Sequence, residues 1–233
     1  MKIDKIEALL RPIVRVTSDE NVGSGVLVYS EDGLTLVLTN AHILNLPKEE
    51  EYDLDDTPFV SVDRFKYDDN GRSIGFYRVA GRIVAYDEKN DLAVIKLRDK
   101  SFEPNTIQWP NDKFISKLKV FDDLYVVGCP LGENPLPTRG MLTSLNVEFS
   151  NREYWMTSAP VVTGNSGGGC FKLDKKTNKF ILVGIPTAMI AVGDAEDHMI
   201  PHLNYIVPPH RVKKFITYVL EQLLPQKDDI VDD

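Results

Sequence analysis

The chain alternates short apolar runs with turn residues over most of its length. The first runs are IVRVT (13–17), GVLVY (25–29) and TLVLT (35–39), and Glu31-Asp32-Gly33 between the last two predicts a hairpin turn. The same rhythm continues at 58–67, 75–86, 91–97, 119–130, 141–149, 154–160, 170–173, 180–185 and 203–208. Short strands with regular turns and no interleaved helices predict an all-β barrel or sandwich.

Helical periodicity is confined to the two ends of the chain. Residues 3–10 predict a short helix, and residues 208–224 place Val212, Phe215, Ile216, Val219, Leu220 and Leu223 on one face of an amphipathic helix. The polar stretch 98–117 contains Pro104 and Pro110 and divides the β pattern in two. We therefore expect a helical segment (1–12), a first barrel (13–105), a linker (106–118), a second barrel (119–208), a helix (209–225) and an acidic tail (226–233).

Composition narrows the class of partner. The 233 residues are 42% hydrophobic, enough for one large β domain or two small barrels. The net charge of −8, without a long basic cluster, argues against nucleic acid or an anionic membrane as the main partner. The acidic stretch 48–56 is a solvated loop or, as the minority interpretation, a docking site for basic substrates.

The termini and the cysteines bear on the compartment. The N-terminal residues contain no apolar run of signal-sequence length, and no stretch approaches the ~18 apolar residues of a membrane span. Cys129 and Cys170 lie in apolar contexts, so packed thiols are favoured over a disulfide. A cytoplasmic location is the resulting expectation.

The most unusual stretch is TGNSGGG (163–169), with Ser166 at its centre. Clustered glycines mark a tight turn or a place where another molecule approaches the backbone closely. Small neighbours would leave Ser166 Oγ uncovered and let nearby N–H groups converge on one point. A nucleophile beside converging donors is what acyl transfer requires. The alternative is a flexible Gly/Ser loop.

Two further residues supply the partners that a serine nucleophile needs. His42 directly follows a predicted strand, whereas the other three histidines (198, 202 and 210) do not, and Asp91 opens the apolar run DLAVIKL. Each has an ordinary alternative, a surface histidine and a turn aspartate. Together with Ser166 they provide base, base-orienting group and nucleophile. The other histidines lack tight ligand spacing, so no metal or cofactor is expected.

These motifs resemble chymotrypsin-fold serine proteases, closest to the HtrA (Deg) branch. GSGVLVYSEDGLTLVLTNAHIL (23–44), NDLAVIKL (90–97) and TGNSGG (163–168) resemble that branch's histidine, aspartate and serine segments. The resemblance covers roughly residues 13–215. It implies two antiparallel six-stranded β-barrels with a C-terminal helix, and a serine endopeptidase that acts on polypeptides.

The resemblance also implies roles for individual residues. Ser166 would attack the scissile carbonyl, His42 would carry the proton and Asp91 would orient His42, with an oxyanion hole at Gly164, Asn165 and Ser166. A substrate strand would pair along 186–189. The pocket for the residue before the scissile bond would be lined by Pro160, Val161, Val162, Thr163, Thr187, Ala188, Met189, Leu203 and Tyr205. These segments contain no carboxylate, which predicts cleavage after small or medium aliphatic residues.

The chain departs from the family pattern at several points. We expect no PDZ domain after the terminal helix; Gly169 stands where proline is usual, and Pro186 removes a donor from a predicted strand. Asn165 precedes the nucleophile, so activation by a cut N-terminus is not expected. Two other functions stay open: a catalytically weak or inactive domain that binds peptides, and an esterase or other acyl transferase. The oligomeric state is not predicted.

Overall fold

A computed structural model describes residues 3–19, 21–44, 46, 59–100, 103–191 and 199–224. A π-helical turn at Ile6–Leu10, a 3₁₀ turn at Ala41–Leu44 and another at Pro130–Gly132 accompany two α-helices, α1 (Asp112–Ile115) and α2 (Pro209–Leu223). The strands are β1 (Ile13–Ser18), β2 (Asn21–Glu31), β3 (Leu34–Thr39), β4 (Val60–Tyr67), β5 (Ser73–Asp87), β6 (Leu92–Leu97), β7 (Asp123–Gly128), β8 (Leu136–Phe149), β9 (Arg152–Thr157), β10 (Gly169–Asp174), β11 (Lys179–Ala191) and β12 (Met199–Val207).

The strands form two closed antiparallel barrels. The first has the order β1-β2-β3-β6-β5-β4 and the second β10-β11-β12-β9-β8-β7. The hairpin between β2 and β3 turns at Asp32 (φ 50°) and Gly33 (φ 76°), two consecutive left-handed residues, as a tight hairpin requires. The predicted class, two six-stranded barrels with a C-terminal helix, is confirmed.

The segment between the barrels differs in detail from the expected linker. It contains α1, whose first turn is capped by the Asn111 side chain accepting from Phe114 N at 2.9 Å. The next strand begins at Asp123 and not at Lys119, because Lys119 to Asp122 form a turn in which Phe121 has φ 75°. A turn conformation of that kind is not visible in the apolar pattern.

The largest apolar cluster crosses from one barrel to the other. It joins buried side chains such as Leu38 and Leu92 of the first barrel to Phe171 and Ile185 of the second. The α2 face predicted from periodicity packs into the same cluster through Val212, Phe215, Ile216 and Val219. The two barrels therefore share a core, and the residues at their seam are held from both sides.

A charge cluster also ties the barrels together. Asp63 of β4 is 1% exposed and accepts from Arg15 Nε at 2.9 Å and from Arg78 Nε at 2.7 Å. Burial alone would raise the pKa of Asp63, but these hydrogen bonds and charges lower it below its ordinary value. Arg15 Nη1 also donates to Gly132 O of the second barrel at 2.6 Å.

Two further predictions concern the cysteines and membrane-spanning segments. Cys129 and Cys170 are buried free thiols, as predicted. Burial raises the pKa of Cys129 to about 12, so this thiol is unreactive at neutral pH. None of the helices within the described ranges is long and apolar enough to cross a membrane. The acidic stretch 48–56 and the tail 226–233 lie outside the described residues.

Candidate active site

His42 and Asp91 meet because their strands are neighbours. Strands β3 and β6 pair with Thr39 opposite Ala93, which brings the residues after β3 beside those before β6. His42 Nδ1 lies 2.8 Å from Asp91 Oδ2, and His42 N donates to Asp91 Oδ1 at 2.9 Å. Asn40 Nδ2 donates to Asp91 O at 2.7 Å and holds the backbone that carries the carboxylate.

Thr187 of β11 connects the carboxylate to the serine. Its hydroxyl donates to Asp91 Oδ2, and its carbonyl accepts from Ser166 Oγ at 3.3 Å. Asp91, with a side chain 14% exposed, therefore has donors for both oxygens, which offsets the loss of hydration. Among the described residues the Ser166 hydroxyl bonds to Thr187 and not to His42, so it must rotate before it can pass its proton to the imidazole.

The loop that carries Ser166 is held in place by hydrogen bonds to its carbonyl oxygens. Leu131 N donates to Thr163 O at 2.7 Å. Ser24 of the first barrel donates twice, from Oγ to Gly164 O at 2.6 Å and from N to Ser166 O at 2.8 Å. Gly164 has φ 95°, and a Cβ there would lie 2.5 Å from Cys129 O. Glycine is therefore required at Gly164 both by conformation and by space.

Within the described residues, the N–H groups of Gly164 and Ser166 donate to no hydrogen-bond acceptor. In a trans peptide the C=O and the next N–H point in opposite directions. Because Thr163 O faces Leu131, the N–H of Gly164 faces the other way; Asn165 O accepts from Gly168 N at 3.0 Å, so the N–H of Ser166 is likewise turned away. Over the part of the chain that the structure describes, neither N–H donates a hydrogen bond. Both residues line one cavity.

Asn165 is a correction to the predicted oxyanion hole. Its N–H donates to Val162 O at 3.0 Å, so it is not available to a ligand. Its side chain turns back on the same residue and accepts from Val162 N at 3.2 Å. Asn165 thus closes the turn before Ser166, while the N–H groups of Gly164 and Ser166 have no acceptor among the described residues.

The cavity beside Ser166 has a volume of about 370 Å³ and is reached by most of the predicted pocket residues. Its lining consists of Asn21, Val22, His42, Ile43, Val161, Val162, Thr163, Gly164, Ser166, Thr187, Ala188 and Met189. Pro160, Leu203 and Tyr205 are not part of this lining. Tyr205 is buried and stacks on the exposed ring of Phe149, with 5.0 Å between the ring centroids, and Leu203 is 38% exposed.

A buried polar residue of β12 is one to which the sequence analysis gave no role. Asn204 is fully buried, and its Nδ2 donates to Ala159 O at 2.9 Å and to Pro201 O at 2.7 Å. Because both neighbours are carbonyl oxygens, the amide orientation is settled. The side chain occupies the space between Ala159 and β12.

A second cavity, of about 450 Å³, is also lined by His42. The two cavities share His42, Thr187 and Ala188. Arg152 and Glu88 supply charged side chains to the second one, and sequence reasoning selected neither because isolated surface charges show no pattern. Within the described ranges no three His, Cys, Asp or Glu side chains lie close enough together to hold a metal ion.

The chain matches known proteins over most of its length. The family model of the trypsin-like peptidase domain matches residues 23–185. The periplasmic pH-dependent serine endoprotease DegQ of Escherichia coli K12 is 28% identical over 178 residues, covering 75% of this chain and 32% of that protein. Serine protease HTRA1 of Xenopus laevis is 27% identical over 201 residues, covering 83% and 35%. The chain thus spans about a third of the length of these relatives.

Solved structures share the two-barrel fold. An HtrA-type protease, AlgW, with a tripeptide superimposes with a TM-score of 0.67 at 18% identity, covering 93% of this chain and 62% of that one. The serine endoprotease from Yersinia pestis gives 0.64 at 19% identity, covering 95% and 68%. At such identities the likeness concerns the fold alone. The family match, by contrast, extends over more than half of the sequence, and the chain belongs to the trypsin-like peptidase family.

Proposed function

We propose that this chain is a serine endopeptidase that cleaves polypeptides through an acyl-enzyme, with His42, Asp91 and Ser166 as its catalytic residues. One observation carries the proposal: His42 and Asp91, 2.8 Å apart, lie beside Ser166, and the N–H groups of Gly164 and Ser166 at the same cavity donate no hydrogen bond to any described residue. Nucleophile, base and donors for a developing oxyanion are the parts that acyl transfer needs.

The proposed reaction begins when the Ser166 hydroxyl rotates from Thr187 O toward His42. Oγ attacks the carbonyl carbon while its proton passes to Nε2, and the carbonyl oxygen takes up negative charge facing the N–H groups of Gly164 and Ser166. His42 then protonates the leaving amine, the C–N bond breaks and an ester remains on Ser166. A water molecule, deprotonated by His42, hydrolyses this ester and restores the serine.

The substrate would bind as an added β-strand along β11. Among the described strands, β12 is the partner that pairs with residues 185–191, since β10 pairs with β11 over residues 179–184. An open edge of this kind offers main-chain donors and acceptors to an extended peptide. Pro186 lies in this one-sided stretch, where a missing N–H removes no bond to a second neighbouring strand.

Cleavage after small or medium aliphatic residues is the proposed specificity. Among the described residues the cavity beside Ser166 is lined by Val161, Val162 and Met189 and by no carboxylate, so a substrate Lys or Arg would be desolvated there without a counter-charge. Burying an aliphatic side chain gains about 1.5–3 kcal/mol. We expect Val, Ala, Leu and Met to be preferred over Lys and Arg by at least about tenfold in kcat/KM. A peptide-library digest dominated by cuts after Lys or Arg would contradict this specificity.

Active-site labelling tests the reaction itself. A fluorophosphonate should modify Ser166 alone among the serines, and His42→Ala should abolish the labelling. Ser166→Ala should lower kcat by about 10⁵–10⁶-fold, because the catalytic residues act as a unit. Labelling that survives His42→Ala would refute the proposed mechanism. Parallel assays on peptides and simple esters separate a protease from an esterase.

A peptide-binding module of low activity is the second candidate. The hydrogen bond from Ser166 Oγ to Thr187 O favours it, because the hydroxyl is not directed at His42. In that case native protein would bind extended peptides along β11, but its Ser166 would react with the fluorophosphonate no faster than Ser30, a buried serine that is not in the cavity lining. Equal reactivity at both serines would establish this candidate over the first.

The cytoplasmic location expected from the sequence remains a proposal. The buried free thiols of Cys129 and Cys170 support a reducing compartment. The relative DegQ, by contrast, is periplasmic by name. Cell fractionation followed by detection of the native chain would decide between the two compartments.

A further inference from the structure

Ser24 is a buried residue of the first barrel for which neither the sequence pattern nor the proposed reaction supplies a role. It lies in β2 between Gly23 and Gly25 and is 0% exposed. A Cβ at Gly25 would lie 2.5 Å from a Val37 side-chain carbon, so this part of the strand is packed without spare room. Ser24 alone of the three carries a side chain, and that side chain is polar.

The hydrogen bonds of Ser24 all have a definite direction. Cys129 N lies 2.7 Å from Ser24 Oγ, and since an N–H can only donate, the hydroxyl oxygen is the acceptor there. The single hydroxyl hydrogen therefore goes to Gly164 O, 2.6 Å away. Ser24 N donates to Ser166 O at 2.8 Å, and Ser24 O accepts from Thr39 Oγ1 at 2.7 Å. Every polar group of the residue is used.

These bonds bear directly on the two free N–H groups. The peptide unit that carries Gly164 O lies between the unit that presents Gly164 N–H and the unit that presents Ser166 N–H. Glycine tolerates many backbone conformations, so Gly164 does not hold its own peptide orientation. The orientation has to be imposed by contacts, and Ser24 fastens the carbonyls on both sides of Asn165.

We propose that Ser24 is a positioning residue that holds the Gly164 and Ser166 N–H groups in the orientation that stabilises an oxyanion. The catalytic consequence of this role rests on the proposed function. The restraint of the loop by Ser24 is structural and does not depend on any activity. Ser24 touches neither substrate nor the reacting atoms. It acts from one barrel on the loop of the other, across 140 residues of sequence.

The test compares Ser24→Ala with a matched control, Ser30→Ala. Ser30 is also buried, 5% exposed, and its hydroxyl bonds to Thr35 Oγ1 and Glu103 N, both at 2.8 Å. Both variants remove a buried hydroxyl with two partners, so both should lower stability similarly. Loss of one oxyanion donor lowers kcat by about 10²–10³-fold. If Ser24→Ala leaves the Gly164 and Ser166 N–H groups less well oriented, kcat should fall by about 10–10³-fold and KM should change by less than about threefold.

Two readouts separate positioning from a general loss of stability. The affinity of a peptide aldehyde, whose adduct places an oxyanion in the site, should fall in Ser24→Ala by the same factor as kcat/KM and stay unchanged in Ser30→Ala. Amide hydrogen exchange at Asn165, Gly167 and Gly168, which are hydrogen-bonded in the native loop, should become faster in Ser24→Ala alone. The exchange measurement holds even for a protein that cleaves nothing.

The outcomes distinguish this inference from the proposed function. If native protein neither cleaves peptides nor reacts at Ser166, the proposed function fails, while faster exchange in Ser24→Ala still supports the restraint. Unchanged exchange, or a loss of kcat equalled by Ser30→Ala, would overturn the inference. If Ser24→Ala does not fold, Ser24→Cys replaces it, because cysteine has a similar volume and a weaker hydrogen-bond donor. Its kcat should be lower than that of native protein but not abolished. Native activity and native exchange in Ser24→Cys would overturn the inference as well.

Discussion

Replacing Gly164 by alanine would displace one of the two proposed oxyanion donors by a calculable amount. The new Cβ would lie 2.5 Å from Cys129 O and 2.7 Å from Leu131 N, whereas real Cβ atoms essentially never approach within 3.0 Å. Both obstacles are backbone atoms, so the loop must move by at least about 0.5 Å. Oxyanion donors work at about 2.7–3.1 Å, and such a shift, with the rotation that φ 95° forces on alanine, takes Gly164 N–H out of range.

The expected loss follows from the loss of one donor. Removing a single oxyanion-hole hydrogen bond costs about 10²–10³-fold in kcat, or about 2.7–4 kcal/mol. KM should change little, because the donor acts on charge that develops in the transition state. Steady-state kinetics on an aliphatic peptide substrate give both constants, and the rate of fluorophosphonate labelling should fall in parallel with kcat.

Gly33→Ala is the matched control for Gly164→Ala. Gly33 has φ 76°, so alanine there meets a comparable left-handed backbone penalty of about 1–2 kcal/mol, but the nearest atom to its Cβ is a Lys100 side-chain carbon 3.8 Å away. Gly33→Ala should therefore lower stability without lowering kcat. A kcat for Gly164→Ala within threefold of native protein, or an equal loss in the control, would refute the assignment of Gly164 to the oxyanion hole.

Three further substitutions test other parts of the molecule. Gly169→Ala should destabilise by about 1–3 kcal/mol in urea unfolding, because its Cβ would overlap the fully buried ring of Phe171; unchanged stability would contradict this. Asp63→Asn should destabilise by about 3 kcal/mol at neutral pH, since two arginines lose their buried partner. Because the pKa of Asp63 is lowered on folding, native protein should lose this stabilisation as pH falls below about 4. The variant should show no such acid loss, and a parallel decline in both proteins would exclude Asp63 as its source. Arg152→Glu should lower kcat/KM about three- to tenfold for peptides with Asp or Glu before the cleaved residue, because Arg152 lines the second cavity without a charged partner in the described residues; equal losses for neutral peptides would exclude a charge effect.

Sequence patterns were sufficient to predict the architecture, because the strands and turns of both barrels are specified by local sequence. Alternating apolar residues, the Asp32-Gly33 turn and the periodic face of α2 are each decided within a few positions of the chain. The exceptions arose where a turn replaced an apolar run. Lys119 to Asp122 read as the start of a strand, but Phe121 adopts φ 75° and the strand begins at Asp123.

Part of the candidate site was predictable because residue type and flanking sequence identify its residues. His42 and Asp91 stand at the ends of strands that pair, so adjacency of the strands brings them together. The pocket was harder to predict because alternation along β12 decides which side chains face inward. Tyr205 turned into the aromatic cluster beside Phe149, and Asn204 turned toward Ala159.

The orientation of the peptide units around Ser166 could not be predicted from the sequence at all. Glycine permits several orientations, and the one observed is chosen by donors far away along the chain: Ser24 for Gly164 and Ser166, and Leu131 for Thr163. Asn165 was predicted to be an oxyanion donor from its position, but its N–H donates to Val162 O. A glycine-rich sequence thus predicts where a site lies but not which N–H groups of the loop are available to a ligand.

It follows that neither barrel holds the site by itself. The first barrel supplies His42 and Asp91, and the second supplies Ser166 and Thr187, whose hydroxyl reaches back to Asp91. Ser24 adds a second connection in the opposite direction, from the first barrel to the loop of the second. A change that shifts one barrel against the other therefore disturbs the base, its orientation and the free N–H groups together. Docking of the barrels, and not the stability of either one, is the property on which the candidate site depends.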